Sequence, residues 1–306
     1  MSIRPTLFSG SFLDRRAELR DDPEWIAAAR ADPATRYAVC AGPRQLVTAE
    51  ATADIVLLDA SHALVASAPA ESLTLLGWFR GQRTVLVEYP NDAVPASELP
   101  LPEATQLSEL RALAPMLSPD AASLLAYARA LVLWRGRHRF CGVCGAGNAP
   151  VRAGHVMRCT RAECATETFP RLDPAIIVLV TDATGERALL GRQAAWPAGR
   201  YSTIAGFVEP GENLEDAVVR EVAEETGIDV GQVSYESSQP WPFPSSLMLG
   251  FRAIARSEAI TLRDGELADA RWFTRADLAA GHPTLPPAGA ISARLIADWF
   301  HGAPAG

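Results

Sequence analysis

The sequence predicts a mixed α and β protein, α+β to α/β in class, with three parts in series. These are a β-rich N-terminal domain closed by helices (residues 1–137), a small cysteine-bearing module (138–169) and a C-terminal α/β/α sandwich on a mixed sheet (170–306). Three observations predict it. Between Arg36 and Pro90 the runs YAVCA, QLVTA, DIVLLDA, ALVA, SLTLLGWF and TVLVEY are separated by Gly, Pro, Ser and Asp turns, the pattern of short strands. Two close cysteine pairs follow, Cys141 with Cys144 and Cys159 with Cys164. From Pro170 onward apolar strand runs alternate with helical periodicity.

Composition narrows the function classes. A chain of 306 residues, 48% hydrophobic, supports more than one core. A net charge of −8 argues against a general nucleic-acid or membrane binder and leaves room for a local basic groove. The opening MSIRPTLFSGSFLDRR has no apolar h-region, no run approaches the ~20 apolar residues of a membrane span, and the closing APAG carries no address. Five cysteines, four of them clustered, fit a metal site in a reducing compartment better than a disulfide framework. A cytoplasmic protein without membrane partners is therefore expected.

In order along the chain, the first 35 or so residues are polar and arginine-rich, with a short helical pattern at Pro23–Arg30. The six strand runs follow, with Cys40 read as a small buried hydrophobe. Pro95–Thr105 reads as a linker. Leu107–Met116 and Asp120–Arg135 read as helices, the second with apolar residues at Leu124, Leu125, Ala128, Leu131 and Val132. Ala175–Thr181 and Arg187–Gly191 read as a hairpin pair, and Tyr201–Phe207, Gln232–Glu236, Ser246–Ala255 and Ala270–Phe273 as further strands. Ala290–Phe300 reads as a closing helix. No internal repeat stands out.

The chemistry lies in two stretches. The cysteine pairs resemble a zinc ribbon, whose four thiolates close a tetrahedral site and leave no open position, so one structural Zn²⁺ per chain is expected. Nearby Arg137, His138, Arg139, Arg152, Arg158 and Arg161 give this module local positive charge. The second stretch is Gly206–Ile228, GFVEPGENLEDAVVREVAEETGI. Asn213 is a candidate N-cap with Asp216 at N3, and Gly227 a C′ stop. Glu221, Glu224 and Glu225 fall on one arc of the helix, and Val218, Val219 and Val222 on the next. Acids at i,i+4 and near a helix C-terminus repel one another and the macrodipole unless cations are present. Clustered hard oxygen ligands, with no Ser-His-Asp or Cys-His pairing and no paired spacing among the five histidines, favour metal-assisted hydrolysis with Mg²⁺ or Mn²⁺.

This stretch resembles the Nudix box, G-x5-E-x7-R-E-U-x-E-E-x-G-U. Gly206, Glu212, Arg220, Glu221, Val222, Glu224, Glu225, Gly227 and Ile228 fill its fixed positions. Beyond it, Ser238-Gln-Pro-Trp-Pro-Phe-Pro-Ser245 with Ser246 resembles the SQPWPFP-x-S signature of the NADH pyrophosphatase subfamily, and its prolines favour a stiff extended segment. The resemblance covers roughly His138–Phe300. It implies a hydrolase that cleaves NADH or NAD⁺ into NMN(H) and AMP, acts on NAD-capped RNA, and assembles as a homodimer. It also implies site roles. Glu221, Glu224 and Glu225 are carried over as metal ligands, with Glu225 doubling as the base or water-orienting group. Arg220 holds a glutamate in place, Glu212 is a supporting acid, and Gly206 and Gly211 permit the loop geometry. Glu266, with Asp264 and Asp269 as competitors, is the candidate that completes the metal site. Phe169, Ala205, Phe207, Gln239, Trp241, Phe243, Ser246, Met248 and Ala288 are candidate substrate-binding residues. Rival readings are a Nudix hydrolase of ADP-ribose or diadenosine polyphosphates, and a non-catalytic nucleotide-sensing zinc-ribbon protein.

Overall fold

A computed structural model describes residues 6–10, 12–89, 98–263 and 265–302; Pro95 of the expected linker and the competitor Asp264 lie outside these. The chain forms two compact units, Phe8–Arg171 and Met1–Leu7 with Leu172–Gly306. In chain order the first contains strands β1 (Leu13–Asp14), β2 (Arg36–Ala41), β3 (Arg44–Thr48), β4 (Leu57–Leu58), β5 (Leu73–Phe79), β6 (Gln82–Tyr89) and β7 (Thr105–Glu109). Its helices are α1 (Pro23–Ala31), α2 (Ala63–Ala66), α3 (Leu110–Leu113) and α4 (Pro119–Arg137). It closes with the ribbon strands β8 (Asn148–Val151), β9 (Val156–Cys159) and β10 (Glu167–Thr168). The second unit holds β11 (Asp173–Thr181), β12 (Arg187–Gln193), β13 (Ile204–Phe207), α5 (Leu214–Thr226), β14 (Val230–Trp241), β15 (Ser246–Ala255), β16 (Leu267–Thr274), α6 (Arg275–Ala279) and α7 (Ile291–Phe300).

The ribbon, read from sequence as its own module, packs within the first unit. Gly154 approaches β5 so closely that a Cβ there would stand 2.4 Å from Thr74 Oγ1. His155 Nε2 lies 2.8 Å from the carbonyl oxygen of Leu75, and burial lowers its pKa to about 4. Two local expectations are corrected here. ALVA, expected as a strand, is the single turn α2, because His62 Nδ1 accepts the Leu64 amide and starts a helix. The N-terminal part of Leu107–Met116, expected as helix, belongs to β7, since Thr105–Glu109 pairs antiparallel with β3.

The second unit is a three-layer α/β/α sandwich. Its sheet runs β14-β15-β11-β12-β16, with β13 on β11, and mixes parallel β11/β15 with antiparallel neighbours. Alternation along β11 divides the core. Ile176, Val178 and Val180 pack with Ala217, Val218 and Val222 of α5, while Ile177 and Leu179 pack with Ile291, Leu295, Ile296 and Trp299 of α7. Pro240 sits in β14 without disrupting the sheet because β14 is an edge strand. Helix α6, not anticipated, is started by a capping box between Thr274 and Asp277.

The first unit repeats this plan. Its strands run β1-β5-β6-β2-β3-β7 with β4 on β2, and β2/β6 is its parallel pair. Apart from β1, each strand has a counterpart in the second sheet, so the structure holds a repeat that the sequence conceals. The two also differ between the short strand (β4 or β13) and the strand that follows it in sequence (β5 or β14). There α2 has four residues, where α5 has thirteen.

Candidate active site

Helix α5 begins as its sequence dictates: Asn213 Oδ1 accepts the Asp216 amide at 2.8 Å. It ends at Gly227, which takes φ 71° and returns its amide to Ala223. The apolar arc differs from expectation at Val219, which is 40% exposed; Ala217, Val218 and Val222 make the contact instead. Glu225 follows Val218 by seven residues and Val222 by three, so it shares their arc and is buried at 4% exposure. The acidic and apolar arcs thus overlap at Glu225.

Arg220 organises the acids. Its Nε and Nη2 donate to the two oxygens of Glu212 at 2.6 and 2.9 Å, and its Nη1 to Glu221 and Glu224, each at 2.9 Å. Nη2 also donates to the carbonyl oxygen of Phe207, fixing the helix to the end of β13. The paired hydrogen bonds between Arg220 and Glu212 hold the pKa of the Glu212 carboxyl down at about 2, well below its usual range, and raise that of Arg220. Glu221 moves the other way. Burial raises its pKa, Arg220 opposes this, and the charges of Glu224 and Glu266 add to the rise. A cation among these acids would relieve that crowding. Gly206 is required by close approach: a Cβ there would lie 1.9 Å from the Glu221 carboxyl carbon. Gly211 serves conformation instead, at φ 96°.

These groups face an open cleft of about 870 Å³. Glu221, Glu224 and Arg220 of α5 line it together with Glu266, Ala205, Phe207, Trp241, Phe243, Ser246 and Met248, all expected from sequence. In the sheet register Phe207, Ala175 and Met248 stand side by side, and the small Ala175 leaves the floor open between them. Phe207 is 58% exposed, and the rings of Trp241 and Phe243 meet edge to face with centroids 5.3 Å apart. Glu209, Gln193, Ala223 and Arg263 also line the cleft and were not singled out from sequence. Glu209 lies inside the box at a variable position, and Arg263 three residues before Glu266; neither carries a motif signal.

Other expected residues lie elsewhere. Glu225 and Glu212 do not line the cleft: one is buried and the other is bound by Arg220. Gln239 is fully buried. Its Nε2 donates to the carbonyl oxygens of Leu7 and Gly289, and its Oε1 accepts the Ile291 amide at the start of α7. That amide caps a helix rather than facing the cleft. Ala288 is exposed outside the cleft lining, and Phe169, 40% exposed, belongs to the first unit. Asp269 is engaged by Tyr201 and Arg271.

The four ribbon cysteines meet. Their Sγ atoms all lie within 4.8 Å of one another, with Cys141–Cys164 at 3.8 Å and Cys144–Cys159 at 3.4 Å. Disulfides require ~2.05 Å, whereas the edge of a tetrahedron with ~2.3 Å Zn–S bonds is ~3.8 Å. Donors assist ionisation. Thr166 pulls Cys164 down to about 6, and the amides of Cys144 and Val143 lower Cys141, while burial pushes Cys159 up to about 12. Among the described residues no three carboxylates bring ligand oxygens as close as these thiols.

Three family descriptions match the chain: the NUDIX domain at residues 171–300, the NADH pyrophosphatase zinc ribbon domain at 137–169, and an NADH pyrophosphatase-like rudimentary NUDIX domain at 33–134. The last agrees with the strand-for-strand repeat described above. Among relatives, the NAD-capped RNA hydrolase NudC of Mycobacterium bovis (strain BCG / Pasteur 1173P2) is 40% identical over 285 residues, covering 88% of this chain and 83% of its own. The NAD-capped RNA hydrolase NUDT12 of Macaca fascicularis is 33% identical over 346 residues, covering 96% and 73% respectively.

Two outcomes are expected. Metal analysis finds about one zinc per chain, and Cys141→Ser loses both the metal and thermal stability; retained zinc in that variant contradicts the ribbon assignment. Gly206→Ala displaces the Glu221 carboxylate, so Mn²⁺ affinity measured by titration falls at least tenfold. Unchanged affinity would show that Glu221 does not hold the ion.

Proposed function

The chain belongs to the Nudix hydrolase family, in the group that carries the NADH pyrophosphatase zinc ribbon and a rudimentary Nudix domain, and on that premise we propose that it hydrolyses the pyrophosphate of NADH and NAD⁺ to NMN(H) and AMP. On NAD-capped RNA the same reaction releases NMN and leaves a 5′-monophosphate end. The observation that carries this reading is one cleft lined both by Glu221, Glu224 and Glu266 and by the aromatics Phe207, Trp241 and Phe243. Hard oxygen ligands suit a charged diphosphate with its cations, and aromatic faces suit the bases on either side.

In this reading Glu221, Glu224 and Glu266 of the cleft, with the buried Glu225, would hold Mg²⁺ or Mn²⁺, and a bound ion would screen the phosphate charge and lower the pKa of the attacking water. Glu225 takes the proton of that water. Water adds to one phosphorus, the P–O bond of the anhydride breaks, and the departing phosphate carries away the electron pair. Arg220 and Glu212 keep the other carboxylates in place before substrate arrives, which removes reorganisation from the barrier. Phe207, Trp241 and Phe243 position the bases, while Ala205, Ser246 and Met248 shape the walls between them. We further propose a homodimer, a cytoplasmic location and the three-part division at residues 137/138 and 169/170.

The test is a product assay with NADH, NAD⁺, ADP-ribose and NAD-capped RNA, each with Mg²⁺ and with Mn²⁺. NMN(H) and AMP are expected from the dinucleotides, and cleavage of ADP-ribose alone would overturn the substrate assignment. Glu225→Gln is expected to lower turnover by about 10²- to 10⁴-fold with an unchanged circular dichroism spectrum. Near-normal turnover would remove Glu225 from the chemistry.

A further inference from the structure

The ribbon presents a surface that neither the metal nor the cleft explains. The chain carries a net charge of −8, yet residues 137–169 hold Arg137, Arg139, Arg152, Arg158 and Arg161 against only Glu163 and Glu167. The segment stays net positive even after the two negative charges of a zinc tetrathiolate. Among the described residues Arg137, Arg139 and Arg161 are exposed and make no ion pair, whereas Arg152 is bound to Asp21 and Glu167. Beside this charge stand the two most exposed large apolar side chains described, Phe140 at 68% and Val143 at 74%.

Register places these groups. Phe140 bridges Gly147, the Asn148 amide donates to Arg139, and the Thr160 amide donates to Gly147, so three extended segments lie side by side. Arg158 pairs with Ala149 and with Glu167 across the sheet. Alternation then puts Phe140, Gly147, Ala149, Arg158 and Thr160 on one face, and Met157 and Cys159 on the other. Burial agrees: Met157 and Cys159 are buried at 5% and 4%, while Phe140, Arg158 and Thr160 are exposed. The floor between them is low. A Cβ on Gly147 would meet nothing nearer than Thr160 Oγ1 at 3.9 Å. Glu167 Oε1 accepts from both Nε and Nη2 of Arg158, at 2.9 and 2.6 Å, which holds that guanidinium in one orientation.

We propose that this face of the ribbon is a stacking platform for single-stranded RNA. Phe140 and the Arg158 guanidinium take bases over the Gly147–Ala149 floor. The exposed Arg139 and Arg161, which adjoin Phe140 and Thr160 outside the paired strands where alternation does not fix their side, take backbone phosphates along its border. Aromatic and guanidinium planes beside unpaired cations are the pairing that binds single strands without sequence preference. A protein partner would bury Phe140 and Val143 equally well, but unpaired arginines on a chain of net negative charge favour a polyanion. The platform rests on the reading that NAD-capped RNA is a substrate, and it supplies affinity for the RNA body while leaving free dinucleotide untouched.

The experiment compares wild type with Phe140→Ala and with the double variant Arg139→Ala/Arg161→Ala, all checked for zinc content. The substrates are NADH and an unstructured NAD-capped RNA about twenty nucleotides long. For the capped RNA, KM is expected to rise about tenfold in each variant, kcat and NADH hydrolysis to stay unchanged, and the double variant to lose part of the salt dependence of KM. Binding of the same RNA with a 5′-monophosphate, followed by fluorescence anisotropy, should weaken in parallel. That measurement needs no catalysis, so it separates failure of the platform from failure of the substrate reading. Unchanged KM and anisotropy would overturn the proposal. So would equal losses on RNA and NADH, or a change of oligomeric state in Phe140→Ala with RNA binding intact, which would make the face a protein interface.

Discussion

The active cleft depends on one guanidinium. Arg220 donates to Glu212, Glu221, Glu224 and the Phe207 carbonyl, and so joins the acidic helix to the strand that forms the cleft floor. Without it, acids in the second half of α5 would repel one another and the negative end of the helix dipole. With it, a helix that is poor by electrostatics is held in one arrangement before metal or substrate binds. Gly206 completes the device, because only a residue without Cβ lets the Glu221 carboxylate lie against β13.

The two sheets show what the helix adds. Apart from β1, both follow one strand order, and both place a parallel pair at the centre. In the first unit the segment after β4 holds the single turn α2, with no carboxylate on it; in the second it holds α5 with Glu221, Glu224 and Glu225. The same scaffold thus carries the acidic helix in one unit and a single turn in the other. The ribbon packs on the sheet of the first unit through Gly154 and His155, in the turn between β8 and β9.

Much of this was legible in the sequence because its signals are local. Helix α5, its Asn213 cap, its Gly227 stop and the cysteine pairs depend on residues a few positions apart. The cleft-lining members of the substrate set, such as Trp241 and Phe243, came with a motif of fixed spacing. What remained hidden depends on long-range contacts. Gln239 sits in that same motif, but its amide is taken by Leu7, Gly289 and Ile291, far away along the chain. Glu225 was placed with the other acids, yet its spacing from Val218 and Val222 buries it. Strand β7 exists because β3 pairs with it, which helical periodicity cannot report. The repeat is invisible because only the pairing order is shared, while the residues that carry it differ.

The central claim is that Arg220 prepares the carboxylates for their cations. The direct measurement is the Mn²⁺ dependence of NADH hydrolysis in Arg220→Gln beside wild type. The account predicts that the Mn²⁺ concentration for half-maximal rate rises by at least tenfold, with kcat falling in the same variant. Half-activation at the wild-type concentration would contradict it.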